Sequence, residues 1–233
     1  MEIKDFEKLI LAELKTVVEK IISKNPSPNI SAKSRAGAEI SSLLEEEFVK
    51  ETANHKYFKN SISSPAGATK NPWDAMTHFS IKGHDEEIWI DFKAVKVSSA
   101  DSNPDIGTPD KIIDLIYSGF FYLAYIFVYY KETKEGLEFV KNAENTFVKL
   151  YFLKDINSTF RRNPKNQLQV NISAPPEERT REEFIELLFK KIEESHKRQI
   201  VISQKMLEKL EKEKIKEKLK DINKESEAKI KKL

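Results

Sequence analysis

The chain contains no cysteine, which excludes a disulfide framework and any thiolate zinc site and fits a reducing interior. It has only 6 glycines in 233 residues. None falls in a G-x-G-x-x-G or Walker arrangement, so the backbone cradle of a nucleotide-binding loop is missing. Long apolar runs are missing as well. The longest, "FFYLAYIFVYY" from Phe120 to Tyr130, is too short to cross a bilayer as a helix. The N-terminal stretch "MEIKDFEKLILAELKTVVEKII" breaks its apolar positions with acids and lysines, where a signal peptide needs an uninterrupted core. A soluble cytoplasmic protein with no membrane association is expected. Charge of one sign is also lacking overall. Lys and Arg number 40 against 38 Asp and Glu, a net +2, so any nucleic-acid surface has to be a local concentration of positive charge. The four histidines, His55, His78, His84 and His196, show no metal-ligand spacing.

What is present is a hydrophobic content of 39%, enough for one sizeable core. Apolar residues at Phe6, Leu9, Ile10, Leu14, Val17, Val18 and Ile21 have helical spacing, and so do Ile40, Leu43, Leu44 and Phe48. The stretch "NPSPN" separates these two helices. A polar loop is expected over Asn60–Pro72. Two strand-like runs, "WDAMTHFSIK" and "EIWIDFKAVKV", flank a turn near Gly83. Thr108 followed by Pro109 and Asp110 marks a helix start. Strands are expected in "YLAYIFVYY" and "TFVKLYFLK", with a further one in "NQLQVNI". From Thr180 the chain turns into an amphipathic helix and then a Lys/Glu-rich tail. Between Gln204 and Leu233 it carries 11 lysines against 7 acids, and its narrow apolar stripe suits a helix partner better than a core. The expected fold class is α/β, a mixed central β-sheet flanked by helices with a charged C-terminal helical extension. The division falls into a core over residues 1–179 and an extension over 180–233.

The run "EIWIDFKAVKV" sets Asp91 and Lys93 in the middle of an apolar strand. Alternate residues of a strand share a face, so Asp91 and Lys93 point one way while Ile88, Ile90, Phe92 and Ala94 point toward a core. The hairpin brings Asp74 alongside them. Two carboxylates and an amine on one rigid strand pair suit Mg²⁺, which is bound by one or two carboxylates with water and a substrate phosphate. The bland alternative is an ordinary cross-strand ion pair on a half-exposed sheet. The triplet acid-x-Lys recurs at Glu2, Glu13, Glu132 and Glu227, all in charged helical or turn contexts.

Asp74, followed after a hairpin by Asp91-Phe92-Lys93, resembles the PD-(D/E)XK nuclease motif. The early helix "SRAGAEISSLLEEEF" resembles the helix that contributes a Glu in that superfamily. The resemblance covers roughly residues 34–153, and the size and single-domain plan look most like a type II restriction endonuclease. It implies a restriction-endonuclease-like core, Mg²⁺-dependent cleavage of double-stranded DNA at a specific sequence, and a homodimer. The metal set it implies is Asp74, Asp91 and Glu39, with Lys93 catalytic beside them. Glu46 and Glu47 rival Glu39, and Asp85, Asp101 and Asp105 compete with Asp74. The sequence departs from the family in reading Pro72-Trp73-Asp74, one residue longer than Pro-Asp. DNA contacts are expected from Arg161, Arg162, Asn163, Lys165, Asn166, Gln167 and Gln169, because Arg pairs with guanine and Asn or Gln with adenine. Lys70 and Lys96 are expected at phosphates. Two further readings stay open: a non-catalytic nucleic-acid-binding or helical interaction protein, and a repair or junction nuclease of the same fold.

Overall fold

A computed structural model describes residues 1–30, 36–65, 72–98, 103–119, 121–163 and 166–230. Lys70, Asp101 and Lys165 lie outside the described residues. The chain divides into two compact units, 1–185 and 186–233.

The first unit opens with helix α1 (Ile3–Lys24) and helix α2 (Ala36–Thr52). Strands β1 (Phe58–Ser63), β2 (Ala75–Ile81) and β3 (His84–Lys96) follow. Helix α3 (Pro109–Ser118) then crosses to β4 (Tyr122–Glu132). β5 (Leu137–Phe139) and β6 (Val148–Phe152) come next, then a two-stranded hairpin of β7 (Arg161–Arg162) and β8 (Leu168–Gln169). Helix α4 (Arg181–Ile230) begins here and makes up most of the second unit.

The sheet is mixed, in the order β1-β2-β3-β4, with β5 and β6 both pairing β4. β3 and β4 are parallel, and the other pairs are antiparallel. A parallel pair needs a crossover connection, and α3 supplies it. Its start is the one the sequence marks: the Thr108 hydroxyl accepts the Lys111 N–H at 3.4 Å with Pro109 in the first turn. β4 is buried from Leu123 through Tyr130 on both faces. Such a central strand reads as a continuous apolar run rather than an alternating one.

Helices α1 and α2 cover one face of the sheet. Ile10, Leu14, Val18, Ile40, Leu44 and Phe48 pack there with Ile88, Ile90, Phe92, Ala124 and Ile126. Phe48 meets Phe58 and Phe92 edge-on, at ring separations of 5.8 and 6.2 Å. Burial of a side chain of this size stabilises by about 1.5–3 kcal/mol.

Three expectations change. The polar segment after Asn60 is not all loop, because β1 runs to Ser63 as an edge strand. The turn-forming composition there reflects a bulge between Lys59 and Ile62, with Asn60 at φ 52°. The polar connection between β4 and β6 holds the three-residue strand β5. The Lys/Glu-rich tail is not an element of its own but continues the amphipathic helix, in one helix of 50 residues. Among the described residues no helix is long and apolar enough to cross a membrane.

Candidate active site

The site begins with the register of the β2–β3 hairpin. Ala75 faces Ile90, and the step beyond sets Asp74 opposite Asp91. Two backbone bonds and one to a side chain fix that end of the hairpin. Asp74 N–H donates to Ile90 O at 2.8 Å, Ser64 N–H donates to Asp74 O at 2.8 Å, and the Asp74 carboxylate accepts the Phe92 N–H at 2.7 Å. Lys93 Nζ stands 2.7 Å from Asp91 Oδ1. The structure thus brings Asp74, Asp91 and Lys93 onto one patch. Their strand neighbours Ile88, Ile90 and Phe92 are locked into the core on the opposite face.

The electrostatics of the patch are uneven. Burial pushes the Asp91 carboxyl up, and the Lys93 ammonium opposes that push, with a smaller contribution from Lys111 on α3. Burial, then the Asp91 charge, raise Asp74 to about 6 against the hydrogen bond from Phe92 and the attraction of Lys93. Asp91 Oδ1 is buried and has no hydrogen-bond partner of acceptable geometry among the described residues. The Lys93 contact is therefore close in distance but not aligned as a hydrogen bond. A buried, unaligned carboxylate oxygen beside a second carboxylate is a donor set that a hard cation satisfies.

On α2, the acid whose charge reaches Asp74 is Glu45, two turns along from the face that carries Gly37. Ser41 Oγ donates to Phe92 O at 2.9 Å, and a Cβ placed on Gly37 would meet the Ala94 Cβ at 4.0 Å. Residues 37, 41 and 45 share one helix face, so the row touching β3 ends at Glu45. The Glu45 charge is felt at Asp74. Its own carboxyl is raised by burial, opposed by a backbone hydrogen bond from Ser64. Glu39 lies about 200° around the helix from Ser41 and is exposed. No group of three His, Asp or Glu side chains among the described residues forms a ready metal cluster. Of the other helix acids, Glu46 is exposed and Glu47 pairs with Lys50 at 2.7 Å. The signal for Glu45 was available only once the row contacting β3 was known.

The remaining named residues scatter. Asp85 lies 3.4 Å from His78 at the hairpin turn, and Lys96 pairs with Glu132 at 2.6 Å. In the β7–β8 hairpin, Arg161 faces Gln169 and Arg162 faces Leu168. Asn163 spends its side chain on the fold: its amide donates to Asp105 Oδ1 at 3.1 Å, and its oxygen accepts the Gln167 N–H at 3.0 Å. Asn166 sits at φ 63° and accepts from Arg162 Nε. These two asparagines shape the turn, while Arg161 is exposed opposite Gln169.

Comparison with known proteins adds a family. A family model described as SwaI-like, the SwaI restriction endonuclease, matches residues 2–210. No curated protein matches the chain. Among solved structures, the NlaIV restriction endonuclease is similar with a TM-score of 0.47 and 15% identity, over 82% of this chain and 80% of that one. The family match takes in both hairpin acids, Lys93, the crossover helix, the β7–β8 hairpin and the first half of α4, and on that span the chain belongs to the SwaI-like restriction endonucleases, type II site-specific deoxyribonucleases.

Proposed function

We propose that the enzyme hydrolyses a phosphodiester of double-stranded DNA with Mg²⁺ held by Asp74 and Asp91, as in a PD-(D/E)XK site. Glu45 stands behind Asp74 as the helix carboxylate of the set, in the place first assigned to Glu39. The observation that carries this reading is the buried, unaligned Asp91 Oδ1 directly across the hairpin from Asp74. When bound, the ion would polarise the scissile phosphate and lower the pKa of an attacking water. Lys93 is placed to offset negative charge that develops on the phosphate oxygens. The strand gives the ligands rigidity, since one face of β3 is packed while the other carries them.

Arg161 and Gln169, side by side on the β7–β8 hairpin, are the base-reading candidates, with Gln167 beside them. Arg162, Asn163 and Asn166 hold the hairpin's shape. The reading extends to a homodimer. Ile200, Leu207, Ile215 and Leu219 of α4 are exposed, fall within about a third of the helix circumference and would give the second unit an apolar seam for a second copy, a role checked by sedimentation of the full chain.

Incubation with plasmid DNA tests the central claim. Discrete fragments that need Mg²⁺, vanish with EDTA and are absent for Asp91→Ala support it. Absence of cutting across a range of DNAs and divalent ions would leave a binding protein without catalysis. Cutting confined to branched DNA would select a junction nuclease instead.

A further inference from the structure

The β7–β8 hairpin is not an independent flap. Residues 104–107 run antiparallel beside β8, joined to it by one isolated bridge and flanking backbone hydrogen bonds. Val170 N–H donates to Pro104 O at 3.1 Å, Asp105 bridges Gln169, Ile106 N–H donates to Leu168 O at 2.9 Å, and Leu168 N–H donates to Gly107 O at 2.8 Å. The Asp105 carboxylate adds a side-chain tie to the hairpin turn through Asn163 at 3.1 Å. The other side of this strip reaches the central sheet. Ile106 O accepts the hydroxyl of Tyr125 at 3.0 Å. Tyr125 is only 1% exposed and is the β4 residue paired with Asp91 in the parallel register.

Ile106 therefore has its N–H on the hairpin and its carbonyl on the residue beside the catalytic carboxylate. Two residues later Thr108 caps α3, and Lys111 of that first turn is the second cation whose charge reaches Asp91. The connection is made of backbone hydrogen bonds and one buried phenol, with no long flexible side chain in between. Ile106 O is the acceptor of this buried hydroxyl, and leaving a buried polar group unpaired is expensive.

We propose that the strip Pro104–Gly107 couples recognition to cleavage, with Ile106 as the joint and Tyr125 and Asp105 as positioning residues, so that engagement of the hairpin with the correct sequence sets the Asp91 side of the active site. The proposal rests on the reading of the hairpin as the DNA-facing element. It assigns to Tyr125 and Asp105 a part in discrimination that neither plays by touching DNA or the reacting phosphate.

The experiment compares single-turnover cleavage of the mapped target site with cleavage of sites differing by one base pair, alongside DNA affinity measured without Mg²⁺. Tyr125→Phe keeps the ring and deletes only the hydroxyl, and Asp105→Ala deletes the tie to Asn163. Each is expected to leave target affinity unchanged and to lower the ratio of target to mismatched cleavage rates by about 3- to 10-fold, the range set by loss of one hydrogen bond. The double variant is expected to be no worse than the worse single one, because both act on the same strip. Asp105→Asn retains an acceptor for Asn163 and should keep most of the discrimination. Equal slowing of target and mismatched sites, or additive losses in the double variant, would overturn the coupling. Arg161→Ala separates the two layers of argument. If it leaves affinity unchanged, the hairpin does not face DNA and the underlying reading fails. If it weakens binding while the strip variants leave the ratio intact, that reading stands and the coupling falls.

Discussion

Replacing Asp74 by Asn is expected to stabilise the metal-free protein while abolishing cutting. The folded Asp74 carboxyl is raised from 3.8 to about 6, so the folded state holds this proton more tightly than the unfolded chain does. Stability linked to the group is therefore greatest below pH 4, falls as pH rises from about 4 to 6, and stays reduced above that window. A difference of 2.2 units at 1.36 kcal/mol each is about 3 kcal/mol. The carboxylate keeps some contact with solvent, and screening there brings the expected effect down to about 1–2 kcal/mol. Asn retains a carbonyl for the Phe92 N–H, so the 2.7 Å bond that holds the hairpin survives the change. Thermal melts in chelator at pH 8 should show Asp74→Asn melting about 2–8 °C above the parent, given about 2–4 °C per kcal/mol in a domain of this size. At pH 4 the two should coincide. Added Mg²⁺ should raise the parent's melting temperature and leave the variant's unmoved. A variant less stable than the parent at pH 8, or a gain that is the same at pH 4 and pH 8, would refute the electrostatic argument.

Lys93→Ala leaves Asp91 buried without its nearest counter-charge. It should cost at least about 100-fold in cleavage rate with DNA affinity retained, as read by gel shift beside a cleavage assay, and a loss of binding of the same size would point to misfolding instead. Glu45→Gln is expected to raise the Mg²⁺ concentration needed for half-maximal cutting several-fold, whereas Glu39→Gln should leave it within about twofold; a magnesium titration of both variants decides between the two acids. Arg161→Ala should weaken DNA binding and flatten the salt dependence by about one unit of slope if the side chain meets a phosphate, or change the preferred base at one position if it reads an edge. At limiting Mg²⁺, cleavage by the parent should decline as pH falls toward 6, since protonation of the Asp74 carboxyl, raised to about 6 in the metal-free fold, then competes with the ion; a rate at limiting Mg²⁺ that stays unchanged between pH 8 and pH 5.5 would remove Asp74 from the site.

The hairpin was legible because its signals are local. Alternation over Ile88–Phe92, a turn at Gly83 and an acid at the head of the first strand suffice to bring Asp74 to Asp91. The α3 start was legible for the same reason, since a capping hydroxyl and an N-terminal proline act within one helical turn. Strands β1 and β5 were hidden because edge strands carry polar residues and need only a neighbour's backbone to form. Glu45 was hidden for a different reason. "SSLLEEEF" offers three acids in succession, and only the tertiary contact of Ser41 with the Phe92 carbonyl shows which of them turns toward the sheet. The asparagines at 163 and 166 look like base-readers in one dimension, yet a positive φ at 166 and the Asp105 tie at 163 give them architectural work.

The α2–β3 contact sets two rulers side by side. Four residues of helix advance about 6 Å, and two residues of strand advance about 6.7 Å, so Gly37 against Ala94 and Ser41 against Phe92 keep step, and Glu45 falls at the level of Ile90, whose carbonyl receives the Asp74 amide. Placement of that acid is consequently all-or-none along the chain. One residue inserted between Ser41 and Glu45 swings it about 100° away and brings its neighbour in, which makes this short stretch far less tolerant of length changes than of most changes in side chain.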